Sequence, residues 1–422
     1  MNQKIISVIG LGYIGLPAAA MFSSRGVKVI GVDVNQHAVD TINQGKIHIV
    51  EPDLEEIVQK AVSDGLLKAV TKPEPADAFL IAVPTPFKGD HEPDVSYIEA
   101  VAKSLAPVLK KGDVIILEST SPVGTTEQLV QWLAAARQDL TFPTENSDVE
   151  PDIYVAYCPE RVLPGQVIRE LVENDRIIGG ITEKCSEKAI EVYQIFVKGE
   201  LLKTNARTAE MSKLTENAFR DVNIAFANEL SLISDRLNIN VWELIELANR
   251  HPRVNILQPG CGVGGHCIAV DPWFIVDKTP DLAKMVRSAR EVNDGKPEWV
   301  IDQVKNAVAK VAEQTGKAVH DLKIVCYGLA FKPDIDDLRE SPALMITEKL
   351  MDLYPNQVYA VEPNYHKDIE HHGKKEINLV DYIESQEIAD VAVLLVNHKE
   401  FMENKPDFSN GVAIIDTKGI WA

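Results

Sequence analysis

The chain has 422 residues, enough for two or three domains, and its 45% hydrophobic and 25% charged residues match an ordinary soluble globular protein. A formal net charge of −20 argues against nucleic acid and against anionic membrane surfaces as partners. Five cysteines (158, 185, 261, 267 and 326) form no CxxC pair, no apolar run approaches the ~18 residues of a membrane span, and the N-terminus runs straight into a strand. Together these features predict reduced thiols in the cytoplasm.

In chain order, apolar β-branched runs at 5–9, 27–32, 78–83, 114–117 and 153–156 alternate with helical stretches. The pattern predicts a parallel sheet covered on both faces, with ligands beyond the carboxyl ends of its strands. Those ends carry Gly10-Leu11-Gly12, Asp33, Pro84-Thr85-Pro86, Glu118-Ser119-Thr120 and Cys158-Pro159-Glu160. Gly10-Leu11-Gly12-Tyr13-Ile14-Gly15 follows the first strand and opens a helix, so Gly12 admits a pyrophosphate and Gly15 lets helix and strand pack closely. Asp33 ends the second strand, where its carboxylate suits the ribose hydroxyls of NAD and repels the 2′-phosphate of NADP. The plain alternative is a tight strand–helix turn without a ligand. Ser121-Pro122-Val123-Gly124-Thr125-Thr126 opens another helix. There Thr126 offers a hydroxyl to the cofactor or simply caps the helix.

From about residue 206 to residue 237 the pattern is helical, with Phe219, Val222, Phe226, Leu230, Ile233 and Leu237 at three- and four-residue steps. Such a helix is ~45 Å long, spans more than one domain and suits a dimer core. Lys213, Asn217 and Arg220 share one stripe of it. A surface salt bridge of Lys213 with Glu210 or Glu216 is the ordinary reading. Beside a reactive cysteine, the Lys–Asn pair would steady a developing oxyanion. His251 and Arg253 are the cations an acidic protein would need for a diphosphate. They lead into Pro259-Gly260-Cys261-Gly262-Val263-Gly264-Gly265-His266-Cys267, a glycine-rich loop carrying a thiol where the next helix is expected to begin. A helix N-terminus favours thiolate, and Asp271 follows one turn later. Two alternatives stand: a metal cluster of Cys261, His266, Cys267 and Asp271, at a spacing that fits no familiar zinc pattern, or a buried structural thiol. The last hundred residues restart an α/β pattern, with strands near 322–327, 358–361, 391–396 and 412–415. This predicts a second, smaller doubly wound domain without a full glycine fingerprint. Lys332, Arg339 and Lys418 in its loops suit a nucleotide diphosphate, or are solvated surface cations.

Over nearly the whole chain these motifs resemble the UDP-glucose/GDP-mannose dehydrogenase family. The residues that carry the resemblance are Gly10–Gly15 with Asp33, Glu118-Ser119-Thr120 before Pro122–Thr125, Lys213 with Asn217, Gly262 to Asp271, and Gly328-Leu329-Ala330-Phe331-Lys332-Pro333 followed by Asp336-Asp337-Leu338-Arg339-Glu340-Ser341-Pro342. The resemblance implies two Rossmann-like doubly wound domains joined by a long central helix and a helical dimerisation region. The expected ranges are a NAD-binding domain over 1–203, a central helical domain with the thiol loop over 204–312, and a UDP-sugar domain over 313–422. It also implies a homodimer and a four-electron oxidation at C6 of a UDP-sugar, with NAD as the hydride acceptor and a thiohemiacetal and thioester on Cys267. Lys213 and Asn217 would then hold the C6 oxygen, and Asp271, Thr120 and Glu160 would order the hydrolytic water. Gly10, Gly12, Tyr13, Ile14, Gly15, Asp33, Thr85, Thr120, Thr126 and Arg339 would meet the cofactor. Arg161, Val162, Lys213, Asn217, Arg220, His251, Arg253, Gly264, Phe331, Lys332 and Lys418 would meet the substrate.

Within the family, the stretches His48–Leu54, Cys158–Gly165 and His251–Leu257 resemble the branch that oxidises UDP-N-acetyl-D-mannosamine for surface polysaccharide such as enterobacterial common antigen. Arg161 and Pro164 replace a Phe and a second glutamate of the UDP-glucose enzymes, so the expected substrate is a UDP-N-acetylhexosamine. UDP-N-acetylglucosamine and UDP-glucose are the alternatives. A two-electron hydroxyacid dehydrogenase and a non-catalytic NAD-binding dimer are the competing classes; neither needs a loop thiol.

Overall fold

The computed structural model describes residues 4–421 apart from 50, 90, 145–148, 164, 266, 365–374, 409 and 410. Val50, Pro164 and His266 of the motifs above therefore lie outside the described residues. The chain divides into two units, 1–216 and 217–422, and the division falls inside one continuous helix, Ala206–Leu237.

The first unit contains strands β1 (Ile5–Ile9), β2 (Lys28–Val32), β3 (Leu67–Val70), β4 (Ala78–Ile81), β5 (Phe87–Lys88), β6 (Glu92–Pro93), β7 (Val114–Leu117), β8 (Tyr154–Tyr157), β9 (Arg176–Gly180) and β10 (Leu201–Asn205). Eight of them form one sheet in the order β10-β9-β8-β7-β4-β1-β2-β3, and β5 and β6 make a separate hairpin. Helices cover the sheet, so its central strands are apolar throughout: all four residues of β4, β7 and β8 are buried. The expected parallel sheet holds from β3 through β8. It needs one correction, because β9 pairs antiparallel with β8 and carries β10 parallel to itself. Sequence periodicity passed over β3, β9 and β10. Each interleaves polar residues or glycine, and β10 is half-exposed. Strand order reverses at β1, which pairs with both β2 and β4. A ligand crevice is expected beyond the carboxyl ends of β1 and β4.

The second unit carries the rest of the long helix, then helices Val241–Ala248, Asp271–Lys278 and Lys284–Thr315. A four-stranded parallel sheet follows, built from β11 (Ile324–Tyr327), β12 (Val358–Val361), β13 (Val391–Leu394) and β14 (Ala413–Asp416) in the order β12-β11-β13-β14. Residues alternate between its two cores: Ile324 and Cys326 face one, Val325 and Tyr327 the other. This is the smaller doubly wound domain expected from the sequence. Its order reverses at β11, so its crevice lies beyond Tyr327 and Leu394.

Candidate active site

In the first unit, Gly10 turns the chain out of β1 at φ +89°, and a Cβ there would sit 2.4 Å from the Ala82 carbonyl oxygen. At Gly15 a Cβ would meet the Gly10 carbonyl, whereas at Gly12 it would meet nothing within 4 Å. Gly10 and Gly15 thus draw strand and helix together while Gly12 leaves an open cradle at the start of helix Gly15–Ser24. Tyr13 is exposed beside it and Ile14 partly covered. The Asp33 Oδ2 atom accepts from the Leu11 N–H at 2.9 Å and its Oδ1 from the Asn35 N–H at 2.9 Å. Each carboxylate oxygen has a further lone pair for a ribose hydroxyl. Thr85 and Thr120 meet directly, the Thr85 hydroxyl donating to the Thr120 carbonyl. Thr126 is fully buried, and its hydroxyl and N–H both donate to Glu210, as does the Gly124 N–H at 2.6 Å. The Glu210 carboxylate thus caps the start of helix Thr125–Ala136, and the Thr126 hydroxyl donates to that carboxylate rather than capping the helix itself.

Beyond β7 and β8 the unit holds a buried ionic cluster. Arg176, the first residue of β9, lies 3.2 Å from Glu160 and 3.8 Å from Glu118, with its guanidinium 4.8 Å over the Tyr193 ring. The Tyr193 hydroxyl donates to Glu118. Burial pushes the Glu118 carboxyl up to about 7, Arg176 pulling it down and Glu160 pushing it further up. Glu160 also accepts from the Arg161 N–H at 2.7 Å. The Arg161 guanidinium forms a fork with Glu216, at 2.9 and 3.1 Å. The Glu51 carboxylate accepts from the Gly165 and Val167 N–H groups, joining two of the branch-level stretches, and Val162 packs on the core. With Glu210 and Glu216 occupied in these ways, neither pairs with half-buried Lys213, which has no ion-pair partner among the described residues.

In the second unit the thiol loop is built against its surroundings. The Gly260 N–H donates to Asn228 Oδ1 at 2.9 Å, and a Cβ on Gly260 would lie 2.7 Å from Lys418 Nζ. A Cβ on Gly264 would meet the Glu340 carbonyl at 2.4 Å. One on Gly265, at φ +83°, would meet the Phe331 ring at 2.9 Å. Gly264, Gly265, Phe331 and Lys418 are thus brought to one loop. Cys267 is exposed, whereas the other four cysteines are buried. Burial pushes the Cys158 and Cys326 thiols up to about 12 and raises that of Cys261 as well, which disfavours thiolate at each. The expected helix start needs one correction. Residues 267–270 form a turn and the helix begins at Asp271, with the Cys267 carbonyl accepting from the Asp271 N–H at 2.9 Å. Asp271 is 2% exposed and takes a 2.5 Å hydrogen bond from the Asn217 amide. Among the described residues no three His, Cys, Asp or Glu side chains converge on a metal position.

The remaining cations are spread out. Arg220, His251, Arg253 and Lys332 are exposed, and the Arg253 N–H donates to His251 Nδ1 at 3.3 Å. Arg339 forms a fork with Asp337, at 2.6 and 2.8 Å. The Glu362 carboxylate accepts from the Leu329 and Ala330 N–H groups and contacts His398, pinning the loop that carries Phe331 and Lys332. Sequence reasoning placed Glu210 on the surface, where the structure buries it, and missed Arg176 and a polar ladder of Asp221, Asn228, Arg290, Asn293 and Lys296, all buried. A signal for the ladder exists in the three-residue spacing of Arg290, Asn293 and Lys296 along one helix face.

Three domain models of one family match along the chain: the UDP-glucose/GDP-mannose dehydrogenase NAD binding domain at residues 4–197, the central domain at 207–295 and the UDP binding domain at 325–422. The UDP-N-acetyl-D-mannosamine dehydrogenase of Yersinia pestis is 62% identical over 424 residues, covering 100% of both chains. The NDP-N-acetyl-D-galactosaminuronic acid dehydrogenase of Ralstonia nicotianae is 59% identical, covering 100% of this chain and 97% of its own. Among solved structures, the UDP-D-ManNAc dehydrogenase of Pyrococcus horikoshii is 37% identical with a TM-score of 0.86, covering 99% of this chain and 96% of that one. The glycine cradle with Asp33, the pinned thiol loop and these matches lead to one conclusion: the chain belongs to the UDP-glucose/GDP-mannose dehydrogenase family, with NAD as its cofactor.

Proposed function

We propose that the chain is a UDP-sugar 6-dehydrogenase that oxidises the C6 hydroxyl of UDP-N-acetyl-D-mannosamine to UDP-N-acetyl-D-mannosaminuronate. It would serve a bacterial surface polysaccharide of the enterobacterial common antigen type. The observation that carries the reading is the exposed Cys267 thiol, set four residues before Asp271 on a loop that Asn228 and Phe331 hold in place.

NAD, when bound, supplies the hydride acceptor for each of two oxidations. The open cradle at Gly12 and the lone pairs of Asp33 fit it, with Gly10, Tyr13, Ile14, Gly15, Thr85 and Thr120 around the cradle and Arg339 reaching it from a second copy. Lys213 accepts the C6 hydroxyl proton as the first hydride leaves, giving the aldehyde. The Cys267 thiolate adds to C6, and Lys213 returns a proton to the oxygen, giving a thiohemiacetal. Loss of that proton and of the second hydride gives the thioester. Water then attacks C6 and gives up its two protons to solvent, the C–S bond breaks, the thiolate stays on Cys267 and the uronate departs. The Asn217 amide has a second N–H beyond the one given to Asp271, and this steadies the C6 oxygen. Asp271, Thr120 and Glu160 order the water, Glu160 being fixed by Arg176. Arg161, Val162, Arg220, His251, Arg253, Gly264, Phe331, Lys332 and Lys418 take up the sugar, diphosphate and nucleoside.

The partner is a second copy of the chain. Phe219, Phe226, Ile233 and Leu237 stand at heptad-like steps on the long helix and are between 45% and 68% exposed, an apolar stripe suited to a dimer interface. The Ralstonia relative favours a second reading, in which another N-acetylhexosamine epimer is the preferred sugar.

Replacing the thiol tests the mechanism. The variant Cys267→Ser retains NAD and UDP-sugar affinity, measured by titration calorimetry, while uronate release falls on the order of 10³-fold or more. Uronate production at the wild-type rate would overturn the assignment.

A further inference from the structure

We infer that Asp221, Arg290, Asn293 and Asn228 form a buried relay that sets the conformation of the thiol loop, with Asn228 as the positioning residue that grips it at Gly260. All four residues are no more than 1% exposed. Arg290 donates to Asp221 Oδ1 at 2.6 Å and also pairs with Asp294 at the surface. Asn293, one turn further along the same helix, donates to the same Asp221 oxygen at 2.8 Å and to the Asp221 carbonyl at 3.1 Å. Its own carbonyl oxygen accepts from the Asn228 amide at 2.9 Å. The Asn228 carbonyl oxygen then accepts from the buried Gly260 N–H at 2.9 Å.

This chain of donors and acceptors has one sense only. Asp221 can only accept, which orients the Asn293 amide, and Asn293 in turn orients Asn228 so that an oxygen faces Gly260. Without that oxygen, the Gly260 N–H would be a buried donor with no acceptor. Helix Ala206–Leu237 thereby holds the loop at both ends, through Asn228 at Gly260 and through Asn217 at Asp271. The two grips are eleven residues apart, about 16 Å along the helix axis. Between them, Gly262 lies against Pro297 and Pro342, and Gly265 lies against Phe331. A buried ion pair in a helix–helix contact is a poor source of stability compared with apolar packing, but it fixes register. Here the register it fixes is that of the segment carrying Cys267. The relay does not touch the reacting atoms, so its members act through the loop.

The inference rests on the proposed role of Cys267 for its effect on turnover, whereas its effect on the loop is read separately. The full-length variants Asn228→Ala, Asp221→Asn, Asn293→Asp and the exchange Asp221→Asn/Asn293→Asp are compared by the iodoacetamide alkylation rate of Cys267, by kcat, and by KM for NAD. Each single substitution is expected to shift the alkylation rate and to lower kcat on the order of 10- to 100-fold, with KM for NAD unchanged. The exchange keeps an amide facing a carboxylate, with acceptors for Arg290 and Asn228, so it is expected to recover both quantities. An exchange no better than its single variants, or a folded Asn228→Ala variant with wild-type alkylation and kcat, would overturn the relay. Where Asn228→Ala fails to fold, the exchange alone decides. Altered alkylation with wild-type kcat would support the relay and count against the thiol's part in turnover.

Discussion

Cys267 is exposed while Cys158, Cys185, Cys261 and Cys326 are buried. Burial disfavours the thiolate at Cys158, Cys261 and Cys326. Lys296 is the mirror case among the cations. It is 2% exposed, donates to Ser231 Oγ at 2.6 Å, and lies 3.7 Å from the Trp299 ring centre. Burial pushes its pKa down to about 7, against the opposing pull of Cys261 and Asp235. Between about pH 7 and the unfolded lysine pKa of about 10.4, the unfolded chain binds more protons than the folded one, so this group makes stability rise with pH. Lys296→Met removes the titration. The wild-type melting temperature minus that of the variant should therefore increase from about pH 7 to about pH 10 in scanning calorimetry. A difference that stays flat across this range would contradict the burial argument.

At the scale of elements, helix Ala206–Leu237 has two faces of different character. Its buried face carries Asn217, Asp221, Asn228 and Ser231. Its exposed stripe is Phe219, Phe226, Ile233 and Leu237. If that stripe is the dimer interface, a charge at its centre desolvates unfavourably. Phe226→Glu is then expected to convert a dimer to a monomer in sedimentation velocity at micromolar concentration, and a variant as dimeric as the wild type would exclude the stripe. The helix was legible because its apolar residues recur at helical spacing without glycine or proline. Helix Lys284–Thr315 was not, because Asp294-Gly295-Lys296-Pro297 reads as a break, yet the helix runs through it. Pro297 has no N–H to donate, and tertiary packing outweighs the loss. The ladder of Asp221, Asn228, Arg290 and Asn293 was illegible for a different reason. Its partners lie some seventy residues apart, and only the folded helix pair shows which polar groups meet.

At the scale of the molecule, one design recurs in both α/β sheets. Gly10 and Gly328 each leave the first strand of their sheet at positive φ, against Ala82 and Val396 respectively. An acid follows the neighbouring strand in each, Asp33 after β2 and Glu362 after β12, and each accepts from the N–H groups of its loop. The copies then diverge: the first keeps Gly12 open, while the second places Phe331 against Gly265. The sequence exposed the second sheet through its strands, without a full glycine fingerprint. It did not expose the reversed strand β9, whose direction depends on pairing with β8. The proposed function requires two successive oxidations of one tethered sugar. The direct measurement is the number of NADH formed per sugar consumed, with UDP-N-acetyl-D-mannosamine, UDP-N-acetylglucosamine, UDP-glucose and GDP-mannose offered separately. The expected result is two NADH per sugar, with UDP-N-acetyl-D-mannosamine consumed fastest; one NADH per sugar with a stable carbonyl product would contradict it.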